Sequence, residues 1–160
     1  MDYHSYVSGI AEARHAIRKV FRIVDEQAKK VGLDPLEHQT LLQVYGSPEQ
    51  MLHVNSIAHR LDIAPAFASR LVRQLEGVGY VRRVPSSADR RVTEVHMTDK
   101  GREIIRSIDS DVRIHVDYFQ RNLPEDAKTT ALSIMAFYVG IDLSPEVIRK
   151  VAFEPVDSKA

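Results

Sequence analysis

The 160-residue sequence predicts a mainly α fold with one small β-hairpin set into it, an α+β arrangement. Three observations predict it. Apolar residues recur at three- and four-residue spacing towards both ends, helix start and stop signals divide the middle, and two short extended runs flank a turn-rich tetrapeptide.

The first helix is expected over residues 5–31, where Ile10, Ala13, Ile17, Val20 and Val24 form a continuous apolar seam before Gly32 stops it. Asp34-Pro35-Leu36-Glu37 reads as a helix start, with a capping aspartate, proline at the first helical position and glutamate where a capping box wants it. This second helix ends at Gly46-Ser47-Pro48. A short third helix covers about 54–61, and a fourth runs from Pro65 to about Gly77. Extended runs follow at 81–85 and 91–97, separated by Ser86-Ser87-Ala88-Asp89, with Thr93, Val95 and Met97 alternating on one side. Thr98 caps a fifth helix to about Asn122, and Pro124-Glu125-Asp126 opens a sixth to about Gly140. Ser144-Pro145-Glu146 suggests one more helical turn. The organisation expected is residues 1–33 as an N-terminal dimerisation helix, 34–100 as a middle lobe and 101–160 as C-terminal dimerisation helices, all in one compact domain. The outer helices are too apolar to be solvated alone, and burying them across a two-fold axis makes the chain a homodimer.

Composition bounds the function. Hydrophobic residues at 44% suffice for a core, and the absence of cysteine excludes disulfides and thiolate metal sites. No signal peptide is visible at the start, and the most apolar stretch, 131–143, is too short to cross a bilayer, so the expectation is a cytoplasmic protein with no membrane partner. The net charge is zero, yet residues 60–91 carry seven arginines against Asp62, Glu76 and Asp89, an excess of four. A concentrated arginine surface attracts polyanions even on a neutral protein.

Residues 57–71 have helix-turn-helix spacing. Ala58 is small enough for the helices to cross closely, and Asp62 tolerates the left-handed turn. Ile57, Leu61, Ile63, Ala68, Leu71 and Leu75 supply inward faces, which leaves Ala66, Phe67, Ser69, Arg70 and Arg73 outward on the second helix. With a hairpin directly after it, the pattern becomes a winged helix-turn-helix flanked by N- and C-terminal dimerisation helices.

Here the sequence resembles the MarR (multiple antibiotic resistance regulator) family. The likeness rests on Ile57-Ala58, Leu61, Pro65, Arg70-Leu71-Val72, Leu75-Glu76, Gly79-Tyr80-Val81 and Arg83, then Asp89-Arg90-Arg91 and Met97-Thr98-Asp99-Lys100-Gly101. It implies an obligate dimer that represses transcription by occupying an inverted-repeat, double-stranded DNA operator until a small effector releases it. Arg91 would enter the minor groove with Asp89 holding its guanidinium, while Arg73, Arg83 and Arg90 would contact phosphates. Arg82 reads equally as solubilising charge. The chain departs from the family at Asp62, Ala64, Ala66, Phe67 and Ser86, so operator sequence does not carry over; Ala66 and Phe67 suit contact with a thymine methyl.

For the effector, the resemblance suggests an aromatic carboxylate or its coenzyme A thioester between the dimerisation helices and the lobe. Arg14, His15, Arg18, His38, Tyr45 and His115 are the candidate contacts. Three alternatives stand beside this reading. Glu37, His38, Asp111 and His115 would make a zinc-responsive regulator of the same fold, although no metal site or cofactor is expected. A winged helix used only for protein contact is a second. An enzyme is the third, disfavoured because no nucleophile elbow, phosphate-binding glycine loop or metalloprotease helix is present.

Overall fold

A computed structural model describes residues 3–140. The expected helical turn at Ser144-Pro145-Glu146 and the end of the 131–143 apolar stretch lie outside them. The described elements are α1 (Tyr3–Lys30), α2 (Pro35–Tyr45), β1 (Met51–His53), α3 (Val54–Leu61), α4 (Pro65–Gly77), β2 (Val81–Pro85), β3 (Thr93–Met97), α5 (Asp99–Arg121) and α6 (Glu125–Val139).

The helix starts follow local chemistry. Asp34 accepts the Leu36 N–H at 2.9 Å while Glu37 accepts the Asp34 N–H at 2.9 Å, so the expected capping box closes in both directions at α2. At α5 the Thr98 hydroxyl accepts the Gly101 N–H at 3.0 Å. Ala64 precedes α4 with no side-chain cap, and Pro65 supplies the pre-set φ instead.

The expected hairpin is present as β2 and β3, and a third strand that the sequence did not signal joins it. The sheet has three strands in the order β1-β3-β2, with β3 antiparallel to both neighbours. Val81 pairs with Met97 and Pro85 with Thr93, while Met51 pairs with His96 and His53 with Glu94. Strand β3 also starts at Thr93 rather than 91, because Arg91 and Val92 belong to the turn. Strand β1 is three residues long and shows no alternation to detect. It forms because the buried Ser47 hydroxyl lies 2.7 Å from the Val44 carbonyl and accepts the Met51 N–H at 2.9 Å, turning the chain back along β3.

The chain divides into two compact units: residues 1–21 with 118–160, and residues 22–117. In the first, Ala13, Ala16 and Ala136 are buried. In the second, Leu41 and Val44 of α2, Ile57 and Ala58 of α3, and Ala68, Val72 and Leu75 of α4 pack with Val81, Val95 and Met97 of the sheet and with Ile105 and Ile108 of α5. Along α1 the buried positions are Ala13, Ala16, Ile23, Gln27 and Ala28, while Ile10, Ile17, Val20 and Val24 of the expected seam are only half-buried. Among the described residues no helix is long and apolar enough to cross a membrane.

Within the second unit, one junction ties the helices to the sheet. The Thr98 hydroxyl reaches the carbonyls of Gly79 (2.8 Å) and Tyr80 (2.9 Å), which places the first turn of α5 directly on the chain entering β2. A Cβ on Gly101 would lie 2.2 Å from the Tyr80 carbonyl oxygen and 2.5 Å from the Met97 sulfur. Backbone cannot yield to that contact as a flexible side chain would. Gly101→Ala is therefore expected to destabilise the fold by about 1–3 kcal/mol, the usual cost of overpacking, seen as a lower denaturation midpoint. An unchanged midpoint would show that α5 can move off the Tyr80 carbonyl.

Candidate nucleic-acid interface

Helices α3 and α4 meet at a left-handed residue. Asp62 sits at φ 53° and ψ 47°, and the following Ile63 N–H returns to the Ala58 carbonyl at 3.0 Å. Ala58 is buried at the crossing, as are Ile57, Ala68, Leu71 and Leu75; Leu61 and Ile63 are half-buried. Val72, absent from the expected inward set, is fully buried beside them.

The other face of α4 carries the outward residues. Ala66, Arg70 and Arg73 are exposed, whereas Phe67 and Ser69 are half-buried. The arginines are held rather than splayed. Arg70 lies over the Phe67 ring, 4.6 Å from its centroid. Arg73 donates to the Ser69 carbonyl from Nε at 3.3 Å and to the Ser69 hydroxyl from Nη2 at 3.2 Å. A concavity of about 350 Å³ separates this face from the wing, lined by Ala66 and Ser69 on one side and by Arg91 and Thr93 on the other. Asn55 at the start of α3 also lines it; the sequence offered no signal for this residue because polar side chains near helix starts are commonplace.

In the wing, Asp89 grips Arg91 as expected. Its carboxylate accepts Arg91 Nε and Nη2, each at 3.1 Å, and the Arg91 backbone N–H at 3.0 Å. Those bonds hold the Asp89 carboxyl below the usual carboxylate range, the side-chain bond contributing most. The Arg91 side chain is nevertheless 91% exposed. Arg90 and Arg82 are exposed too. Arg83 is placed differently: its Nε donates to Glu76 at 2.6 Å and its backbone N–H to the same carboxylate at 2.9 Å, so its charge is largely offset and Glu76 is pushed down in pKa. Ser86 is buried; its hydroxyl bonds the Glu94 carboxylate, which with His96 keeps Glu94 ionised below its ordinary range.

The effector candidates separate. His38 and Tyr45 line a cavity of about 360 Å³ whose other walls include Leu42 of α2 and Ile105, Arg106 and Ile108 of α5. His115 lies in the same unit, exposed on α5 and outside that lining. Arg14, His15 and Arg18 are exposed on α1 and belong to the first unit. Arg106 was missed because an arginine on an exposed helix face looks like solvation. The zinc alternative finds no support: among the described residues no group of three or more histidine or carboxylate side chains is arranged to hold a metal ion.

A sequence model described as the MarR family matches residues 31–92. This lobe is similar in sequence to the MarR family and has a winged helix-turn-helix fold. The MarR-like chain is 27% identical over 120 residues to the uncharacterized HTH-type transcriptional regulator YdgJ of Bacillus subtilis, covering 75% of this chain and 71% of that protein. Its fold matches a MarR family transcriptional regulator from Streptomyces coelicolor solved in complex with DNA, at TM-score 0.65 and 22% identity, over 90% of this chain and 87% of that one. It also matches apo wild-type MarR from E. coli at TM-score 0.66 and 17% identity, over 87% and 96% of the two chains. The fold is that of MarR-family transcriptional regulators.

His38 has a consequence for stability. It is 3% exposed, and among the described residues its Nδ1 is the buried side-chain polar atom lacking a hydrogen-bond partner. Burial holds its pKa below the ordinary value, with Asp25 opposing in part. The unfolded chain takes up a proton near pH 6.5, about the free imidazole value, that the folded imidazole refuses. Its contribution is thus complete above that pH and declines as pH falls towards the folded value. Thermal midpoints of His38→Gln should fall less than those of the parent chain on going from about pH 7.5 to about pH 5.5; parallel declines would show that His38 does not titrate on unfolding.

Proposed function

We propose that this chain is a ligand-responsive transcriptional repressor that binds a roughly palindromic DNA operator as a homodimer. The observation that carries this reading is Arg91: a guanidinium held along one edge by two bonds to Asp89 yet almost fully exposed, across a concavity from the exposed face of α4. A preformed, outward-facing arginine on a wing suits a narrow minor groove, whose negative potential rewards a charge already placed. Helix α4 then enters the adjacent major groove with Ala66, Phe67, Ser69 and Arg70 towards the bases. Arg73 and Arg90 serve as phosphate contacts. Arg83 keeps that role only if phosphate competes with Glu76 for its guanidinium.

Large apolar side chains left exposed on the outer helices support the dimer, among them Phe21, Ile114, Tyr118 and Leu132. Surfaces of this kind are stable in water when a second copy covers them. Two lobes so paired present their recognition helices about 34 Å apart, one turn of B-DNA. A cytoplasmic location goes with that role.

The cavity lined by His38 and Tyr45 supports the effector. Leu42, Ile105 and Ile108 give it an apolar wall suited to an aromatic ring, and the buried, unpartnered Nδ1 of His38, the Tyr45 phenol and the Arg106 guanidinium supply polar groups for a carboxylic acid or its coenzyme A thioester. A bound effector that changes the separation of the two recognition helices would release DNA, because a rigid dimer fits one half-site spacing. The arginine-rich α4 and wing favour DNA over a purely protein-binding winged helix.

Sedimentation should show a dimer, and affinity for duplexes selected from a randomised library should fall steeply with salt, as counterion release requires. Arg91→Ala should leave the dimer folded, weaken binding by roughly tenfold or more, as loss of a charge-assisted contact of about 1.5–3 kcal/mol implies, and lower the salt slope by about one unit. A stable monomer, or no duplex binding at low ionic strength, would overturn the function. Unchanged affinity in Arg91→Ala would remove the minor-groove role alone.

A further inference from the structure

The groove-facing surface of α4 is poor in groups that distinguish bases. Ala66 has no polar atom. Ser69 has its hydroxyl and carbonyl engaged by Arg73, which in turn is drawn back along the helix by those two bonds at 3.2 and 3.3 Å. Arg70 differs. One turn from Phe67, it rests over the ring at 4.6 Å. A cation above a ring is held through the ring's π face, and a guanidinium held this way retains N–H donors at its edges. Two such donors in one plane match guanine O6 and N7 in the major groove. Phe67 meanwhile is half-buried but, unlike the half-buried Leu61 and Ile63, stands outside the residues packed on the core, and its face is occupied by the arginine.

We propose that Phe67 is a positioning residue that holds Arg70 for bidentate recognition of a guanine, so that Arg70 carries the base specificity of α4. This rests on the DNA-binding reading above and deepens it. The half-site therefore contains a G·C pair under the first turns of α4. Phe67 acts through Arg70 and does not itself read a thymine methyl. The stacked arrangement stabilises one rotamer of a side chain that otherwise has many, so the loss on removing the ring falls on discrimination at one base pair rather than on overall affinity.

The test begins with duplexes selected by the full-length wild-type protein from a library with a randomised core. Affinity is then measured for the selected duplex and for variants in which each G·C pair in turn becomes A·T. Arg70→Ala should lose discrimination at one G·C pair per half-site. Phe67→Leu should lower discrimination at that same pair about two- to fivefold, the range expected for an exposed cation–π contact, with other positions and the salt slope unchanged. Phe67→Tyr, which keeps the π face, should restore it. A merely structural role for Phe67 would instead weaken all duplexes alike and lower the thermal midpoint. That result, or full discrimination retained in Phe67→Leu, or no guanine in the selected half-site, would overturn the inference while leaving DNA binding intact. Failure of the wild-type protein to bind any duplex would remove the DNA-binding reading and this inference with it.

Discussion

The position of α4 and of the wing depends on how closely the start of α5 approaches the start of β2. Three groups meet there. The Thr98 hydroxyl spans the Gly79 and Tyr80 carbonyls and the Gly101 N–H, and Gly101 offers no Cβ to push the Tyr80 carbonyl away. Lys100 adds a bond from its ammonium to the Val78 carbonyl at 2.6 Å and lies over the Tyr80 ring. The last turn of α4, the first residue of β2, the last of β3 and the first turn of α5 are thereby fixed to one another within a few residues. Since β2 and β3 carry the wing between them, its geometry is set at this junction, some distance from the exposed arginines that the wing presents.

Neutral overall charge is compatible with a positive face because the acids of residues 60–91 are placed unequally. Glu76 cancels much of Arg83, whereas Asp89 orients Arg91 without covering it. Exposed ion pairs of this sort contribute little to stability, commonly under about 1 kcal/mol. Their value lies in geometry: side chains that would otherwise sample many rotamers are held before any ligand arrives, which lowers the entropy lost on binding. Phe67 under Arg70 and Ser69 beside Arg73 extend the same arrangement along α4.

Local signals carried most of the fold. The capping box at Asp34 and Glu37, the left-handed Asp62 and the alternation of Val95 and Met97 each act within a few residues, so each was legible. Strand β1 was not, because three residues are too few to show a period and its partner β3 lies about forty residues away in register. The candidate site divides the same way. Asp89 and Arg91 are two residues apart and their pairing could be read directly. The cavity wall joining His38 and Tyr45 to Arg106 could not, since it requires α2 and α5 to be packed together.

The sequence by itself determined where helices begin and end, which face of α4 turns inward, and that arginine is concentrated around the turn and wing. These follow from hydrogen bonds, rotamers and periodicities that span a handful of residues. Tertiary structure alone decided which arginines remain available, with Arg83 turned onto Glu76 and Arg91 left outward, and it alone enclosed His38 with no partner for Nδ1 among the described residues. Such outcomes depend on distances between elements, and no local pattern encodes a distance across the core.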